Sequence, residues 1–250
     1  MRLTRFYTER QNLRLNGSVK LPDSDIGHIR KVLRLESGDK VIVFNGVEEY
    51  LAELSLVTRG FVTVKLIELL KSEKMQKKEK ELSIFQGLLR AGKFDLIIEK
   101  LTEIGVDNII PVECEYSQTK KEIAAAKLSR WGKVALAAAK QSERLSLPEV
   151  LEPIEFSDIL KVKDDFDKIL LFTLPRKNIP ESLESVELTA ELLKGVKKIA
   201  VLIGPEGGFS PREHKVAKDN GFTLVKVSEG VLRSETAAIV FSGIVKFLMS

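Results

Sequence analysis

The run Ile203-Gly204-Pro205-Glu206-Gly207-Gly208-Phe209-Ser210 constrains the fold of this chain more than any other stretch. The apolar residues Ile199 to Ile203 lead into it and read as a fully buried parallel strand. Pro211-Arg212-Glu213 follows as a helix start. Ser210 can cap that helix, Pro211 suits its first position, and Glu213 completes a capping box. A glycine-rich turn therefore separates a buried strand from a helix, which is where ligands bind in open α/β sheets. Gly204, Gly207 and Gly208 let a ligand approach bare backbone. The spacing narrows the choice of ligand. No Lys follows the glycines as a P-loop requires, and the Gly-x-Gly-x-x-Gly dinucleotide pattern is missing. Pro205 stiffens the turn, and Glu206 makes it a poor cradle for a polyphosphate. A less charged ligand with an adenine or amide edge fits better. For this loop taken alone, a plain strand–helix turn is the alternative.

A second loop follows the strand expected from Thr223 to Val227. It runs Ser228-Glu229-Gly230-Val231-Leu232-Arg233-Ser234-Glu235-Thr236-Ala237-Ala238 and opens an apolar helix that continues through Leu248. Ser234 suits the cap of that helix, and Glu235 suits the positive end of its dipole. Arg233, just before the cap, is expected to point into the same crevice. A third strand, Lys168 to Thr173, ends in Leu174-Pro175-Arg176. Three strand ends thus bring three loops together.

With 250 residues, the chain is long enough for two modest domains. Its 44% hydrophobic and 30% charged residues are those of an ordinary globular protein. The polar segment Lys71 to Glu81 is the best linker. Before it lie short strands: Lys40 to Phe44, the hairpin turn Asn45-Gly46, Glu49 to Val57, and Phe61 to Leu70. These suggest a small barrel. After it, strands and helices alternate. Leu82 to Leu89 reads as a strand. Phe94, Ile97, Ile98, Leu101 and Ile104 form one helical face that Gly105 ends, and Asn108 to Val112 is the next strand. Leu128, Trp131, Ala135 and Ala138 form another helical face, with Trp131 expected in the core. Such alternation means α/β architecture with a mainly parallel sheet.

Residues 1–80 hold 16 basic and 11 acidic side chains, a net of +5, whereas residues 81–250 hold 24 and 25. A small basic module suits the reading of phosphate backbones. Aromatic residues make up only 6%, which opposes extensive stacking on single strands and fits a folded RNA. The single cysteine, Cys114, excludes an internal disulfide, agrees with a reducing cytoplasm, and reads as a small buried hydrophobe. Two histidines and one cysteine make no convincing zinc site, so no metal is expected. His214 is expected on the exposed face of its helix. Met1 to Arg10 carries three arginines without an apolar core, so no signal peptide is expected, and no membrane span either.

At the two loops the chain resembles the ribosomal RNA uracil-N3 methyltransferases of the SPOUT superfamily. The resemblance lies in Ile203 to Ser210 and in Val231-Leu232-Arg233-Ser234-Glu235-Thr236-Ala237. It extends upstream through Glu99 to Val106 and through Ala138-Ala139-Lys140-Gln141-Ser142-Glu143-Arg144 with Pro148-Glu149. It also covers Arg5-Phe6-Tyr7 and His28 to Arg34. The chain departs from the pattern at Gly27, Tyr116 and Leu145, where the family usually has His, Arg and a small polar residue.

The resemblance implies a PUA-like β-barrel over residues 1–72 and a SPOUT domain with a trefoil knot over 73–250. It implies S-adenosylmethionine as methyl donor, N3 of a uridine in small-subunit (16S) ribosomal RNA as acceptor, and a cytoplasmic homodimer. The cofactor would be held by Leu171, Phe172, Thr173, Ile203, Gly204, Pro205, Glu206, Gly207, Gly208, Val227, Val231, Leu232, Thr236 and Ala237. Leu171, Ile203 and Leu232 are expected to sandwich the adenine. Arg233 is the first candidate to stabilise the uracil anion, or else pairs with Glu235 or the cofactor carboxylate. Glu235 is a base, an orienting group or a helix-end charge. Arg5, Arg30, Arg34 and Arg144 are the expected RNA contacts. The alternatives are a SPOUT methyltransferase of another rRNA or tRNA base, and a non-catalytic RNA-binding assembly factor.

Overall fold

Asn45 and Gly46 reverse the chain as the sequence predicts. In the computed structural model, which describes residues 3–9, 11–73, 79–90, 92–173, 185–226 and 230–249, the Asn45 side-chain oxygen accepts the N–H groups of Val47 and Glu48, and Gly46 takes a φ of 90°. The turn joins β3 (Lys40–Phe44) to β4 (Glu48–Val57). With β1 (Arg5–Tyr7), β2 (Ser18–Lys20) and β5 (Val62–Ser72) they form a sheet in the order β1-β3-β4-β5-β2. Its ladders are antiparallel except β1–β3. Register shifts in the β4–β5 ladder bend the sheet. Val62, Val64 and Leu66 alternate inward and pack with Phe6, Val41, Val43 and Ile29. Ile29 belongs to a wide helical turn, His28–Leu33, which follows α1 (Asp23–Gly27) and ends at Arg34 in a left-handed conformation.

The chain divides into two compact units. One is Met1–Lys78 with Ala139–Leu147; the other is Glu79–Ala138 with Pro148–Ser250. The sequence expects a single cut at residue 72. The return of Ala139–Leu147 to the first unit has a physical cause in Arg5. Its guanidinium donates to the carbonyls of Ala139, at 2.9 Å, and Arg144, at 3.0 Å.

The second unit is built on an eight-stranded sheet in which every ladder is parallel. Its strands are β6 (Glu81–Gly87), β7 (Asn108–Glu113), β8 (Glu149–Val150), β9 (Ile154–Glu155), β10 (Lys168–Phe172), β11 (Val186–Glu187), β12 (Lys198–Ile203) and β13 (Thr223–Lys226). They follow the order β11-β13-β10-β12-β6-β7-β8, with β9 also on β7. Helix α2 (Lys93–Ile104) buries Phe94, Ile97, Ile98 and Leu101, and Gly105 closes it at a φ of 87°. Then come α3 (Lys121–Ala125), α4 (Leu128–Gln141), α5 (Ile159–Val162), α6 (Pro211–Asp219) and α7 (Ser234–Met249).

Because side chains alternate across a strand, the buried residues fall into two cores on opposite faces of the sheet. Leu170, Val201 and Ile203 pack with α2 and α7, and Trp131 joins them there. Leu171, Ala200 and Leu202 pack with Phe209, Ala217 and Cys114. The core placement of Trp131 and Cys114 agrees with the sequence. Burial, and then the Glu213 carboxylate, raise the Cys114 pKa well above its ordinary value, so the thiol stays protonated.

Candidate active site

Strand β12 delivers the glycine turn at the C-terminal edge of the sheet. The Gly208 N–H donates to the Pro205 carbonyl at 2.8 Å, with Gly208 at a φ of 72°. A Cβ on Gly204 would stand 3.1 Å from the Gly208 backbone. The turn is thus folded tightly on itself: the positive φ favours glycine at position 208, and a side chain at position 204 would push its neighbour by a few tenths of an ångström. Ser210 caps α6 as predicted. Its hydroxyl accepts the Glu213 N–H, and the Glu213 carboxylate accepts the Ser210 N–H at 2.8 Å. The other Glu213 oxygen accepts the Glu115 N–H at 2.9 Å, which fastens this helix start to the chain after β7.

Two neighbours of the turn escape a reading of motifs. Gly87 ends β6 against it, and a Cβ there would lie 2.4 Å from the Pro205 nitrogen. A glycine inside the strand pattern Leu82 to Leu89 was the available signal, because it marks a close backbone approach. Gln86 is fully buried. Its amide N–H donates to the Ser234 hydroxyl at 3.0 Å, and that hydroxyl donates to the Gly204 carbonyl at 2.5 Å.

This chain of bonds brings the second loop onto the first. It also revises the role of Ser234. The Ala237 N–H bonds to the Arg233 carbonyl, so Arg233 holds the cap position and Ser234 is the first helical residue. Its hydroxyl leaves its own helix to reach Gly204. Arg233 is exposed and makes no ion pair among the described residues. The pairing of Arg233 with Glu235 does not form. Glu235 instead faces Lys93, with Nζ and Oε1 3.4 Å apart, and the same Nζ lies 3.5 Å from Glu206 Oε1.

The remaining expected cofactor residues are placed unevenly. Gly204 and Pro205 are buried, Glu206, Gly207 and Gly208 are half-buried, Val231 and Thr236 are exposed, and Leu232 is half-buried. Ala237 turns into the core. Val227 lies outside the described residues. Leu171 cannot sandwich a ring with Ile203 and Leu232. Its side chain enters the opposite core, by strand alternation, while Ile203, Leu232 and Phe172 share the α7 side. The Thr173 N–H donates to Val225, and its hydroxyl lies 3.2 Å from His214 Nε2.

His214 is buried, not on an exposed face. Its Nδ1 is 3.0 Å from the Ser210 carbonyl. A carbonyl only accepts, so Nδ1 carries the hydrogen, and in the neutral ring Nε2 accepts from Thr173. The periodicity of α6 missed this because a polar ring is buried when both nitrogens find partners.

Of the expected RNA contacts, Arg5 is withdrawn from solvent. It pairs with the buried Glu49 carboxylate, lies 4.3 Å above the Phe44 ring, and donates to two carbonyls. Its charge and donors are consumed within the first unit, so it serves structure and not phosphate contact. Arg34 is exposed, and Arg30 and Arg144 are half-buried. Tyr116, at one of the departures from the family pattern, lies on the glycine turn. A Cβ on Gly207 would meet the Tyr116 Cβ at 2.7 Å.

A family model described as RNA methyltransferase domain matches residues 76–246. The chain belongs to this RNA methyltransferase family. A second model, an RNA methyltransferase PUA domain, matches residues 21–67. The ribosomal RNA small subunit methyltransferase E of Aquifex aeolicus is 27% identical over 98% of this chain and 98% of its own. The protein of the same name from Bacillus subtilis is 28% identical over 95% and 93%. A crystal structure of ribosomal RNA small subunit methyltransferase E from Neisseria gonorrhoeae, bound to S-adenosyl methionine, superposes with a TM-score of 0.85. It is 26% identical and covers 99% of this chain and 98% of its own. A methyltransferase from Legionella pneumophila, in complex with the same cofactor, gives 0.84 at 25% identity over 99% and 98%.

Proposed function

We propose that this protein transfers the methyl group of S-adenosylmethionine to N3 of a uridine in small-subunit (16S) ribosomal RNA. In this reading it works in the cytoplasm as a homodimer whose second unit carries the trefoil knot. The observation that carries the activity is the Ser234–Gly204 hydrogen bond, which sets the Val231–Ser234 loop on the bare backbone of the glycine turn in a chain of this family. The residues present suit such a cofactor. Gly204, Gly207 and Gly208 put no side chain of their own between the backbone and a flat adenine edge, and Ile203 and Leu232 supply apolar surface on one face of the sheet.

When bound, the cofactor supplies an already electrophilic methyl group. The chain's own task is to bind, orient and stabilise charge. Arg233, exposed and without an ion pair among the described residues, is the cation available to the uracil oxygens as N3 gives up its proton to solvent water. The Lys93-paired Glu235 serves orientation in this account and not proton removal. Incubating small ribosomal subunits that lack the modification with enzyme and labelled cofactor, then mapping the RNA by mass, tests the reading. One new methyl on N3 of a 16S uridine is expected. Label on another base or another RNA would overturn the substrate assignment, and no transfer at all would favour an assembly factor.

A further inference from the structure

Lys93 is the first residue of α2, where the positive end of the helix dipole disfavours a cation. Its ammonium sits between two carboxylates from different loops: Glu206 of the glycine turn at 3.5 Å and Glu235 of the second loop's helix at 3.4 Å. The other oxygen of each, Glu206 Oε2 and Glu235 Oε2, is buried without a hydrogen-bond partner in the described residues. Among the described residues, the neighbouring Arg90 gives little help. Arg90 offers Glu206 only its backbone N–H, at 3.3 Å, and turns its side chain to Gln118. Local helix energetics therefore do not account for a lysine at this position, whereas the two facing carboxylates do.

We propose that Lys93 is a positioning residue that latches the glycine turn to the second loop, and so sets the affinity for the cofactor. The link to the cofactor rests on the methyltransferase reading above. Without the ammonium, two partly buried like charges face each other and repel. The loops that carry them would then separate, and the backbone groove between Gly204 and Leu232 would loosen.

The test uses full-length protein and S-adenosylhomocysteine as the probe. Lys93→Met should weaken binding about tenfold and raise the KM for S-adenosylmethionine alike, with kcat at saturating cofactor within about threefold of wild type, because uniform binding is what is lost. Lys93→Arg should bind like wild type. Lys93→Met combined with Glu206→Gln removes the repulsion and should bind within about threefold of the Glu206→Gln single variant, which carries any direct contribution of that carboxylate. Hydrogen exchange of the amides of Gly204 and Glu206 to Phe209 without ligand should quicken in Lys93→Met and slow again in the double variant. A residue that only stabilised the fold would lower the thermal midpoint without recovery by Glu206→Gln. Unchanged affinity and exchange in Lys93→Met, or a double variant that binds much more weakly than Glu206→Gln alone, would overturn the latch. Wild-type protein that binds no S-adenosylhomocysteine would overturn the methyltransferase reading, while the exchange measurement still decides the latch.

Discussion

Gly87 has no room for a methyl group, because its Cβ would fall 2.4 Å from the backbone nitrogen of Pro205. Neither β6 nor the proline-stiffened turn can yield cheaply. Gly87→Ala should cost about 1–3 kcal/mol, as other overpacked sites do. It should also push the glycine turn off its position, so calorimetry should show weaker S-adenosylhomocysteine binding together with a lower melting temperature. Arg233 poses the opposite case, an unpacked side chain proposed for chemistry. Arg233→Lys keeps the charge and loses the planar fork. Turnover in a single-turnover assay should fall on the order of a hundredfold, with cofactor affinity near wild type. A defect that saturating cofactor repairs would make Arg233 a cofactor clamp.

At the scale of elements, the strand–helix turn owes its shape to the start of α6. Ser210 and Glu213 exchange hydrogen bonds, and Glu213 also holds the Glu115 N–H. Ser210→Ala removes one acceptor from this cap and should destabilise the fold by about 1 kcal/mol in denaturant titration. The other end of the sheet has its own clasp. The Asp167 carboxylate accepts the N–H groups of Lys198, at 2.8 Å, and Lys197, at 2.9 Å, where β10 and β12 begin. These two bonds hold its pKa below the ordinary aspartate value. A lowered folded pKa means stability that is fully present above the unfolded value, about 3.9, and is lost as pH falls through the folded one. Asp167→Asn should therefore flatten the acid limb of a stability–pH curve and leave its slope near neutrality unchanged. An acid limb as steep as the wild type's would place the sensitivity at other carboxylates.

For the whole molecule, charge divides unevenly between the two units. The first unit carries most of the basic excess, and the PUA match lies within it. If Arg30 and Arg34 neutralise RNA phosphates, Arg30→Gln with Arg34→Gln should weaken binding to small-subunit RNA and lower the salt slope by about 0.7–0.9 per lost contact. Cofactor binding should be untouched. An unchanged slope would mean that the RNA uses another face. Arg5→Gln is no equivalent test, because it would leave Glu49 buried without its main partner.

Local patterns determined much of this protein. The Ser210–Glu213 cap, the Asn45-Gly46 hairpin, the Gly105 helix stop and the parallel strand before Gly204 all depend on residues close in sequence, so propensity and periodicity reveal them. The family resemblance is legible for a similar reason, since short ordered motifs carry it. Tertiary structure decided the rest. Strand alternation sent Leu171 and Ile203 to opposite cores, although both lie at the C-terminal ends of adjacent parallel strands. Arg5 was drawn inward by Glu49 and by carbonyls 134 and 139 residues away. Ser234 left its own helix for Gly204, and Lys93 met Glu206 and Glu235. Each of these is a polar or packing contact between distant segments. The chain's order records which groups exist, but only the folded path brings the partners within bonding distance and fixes what each can do.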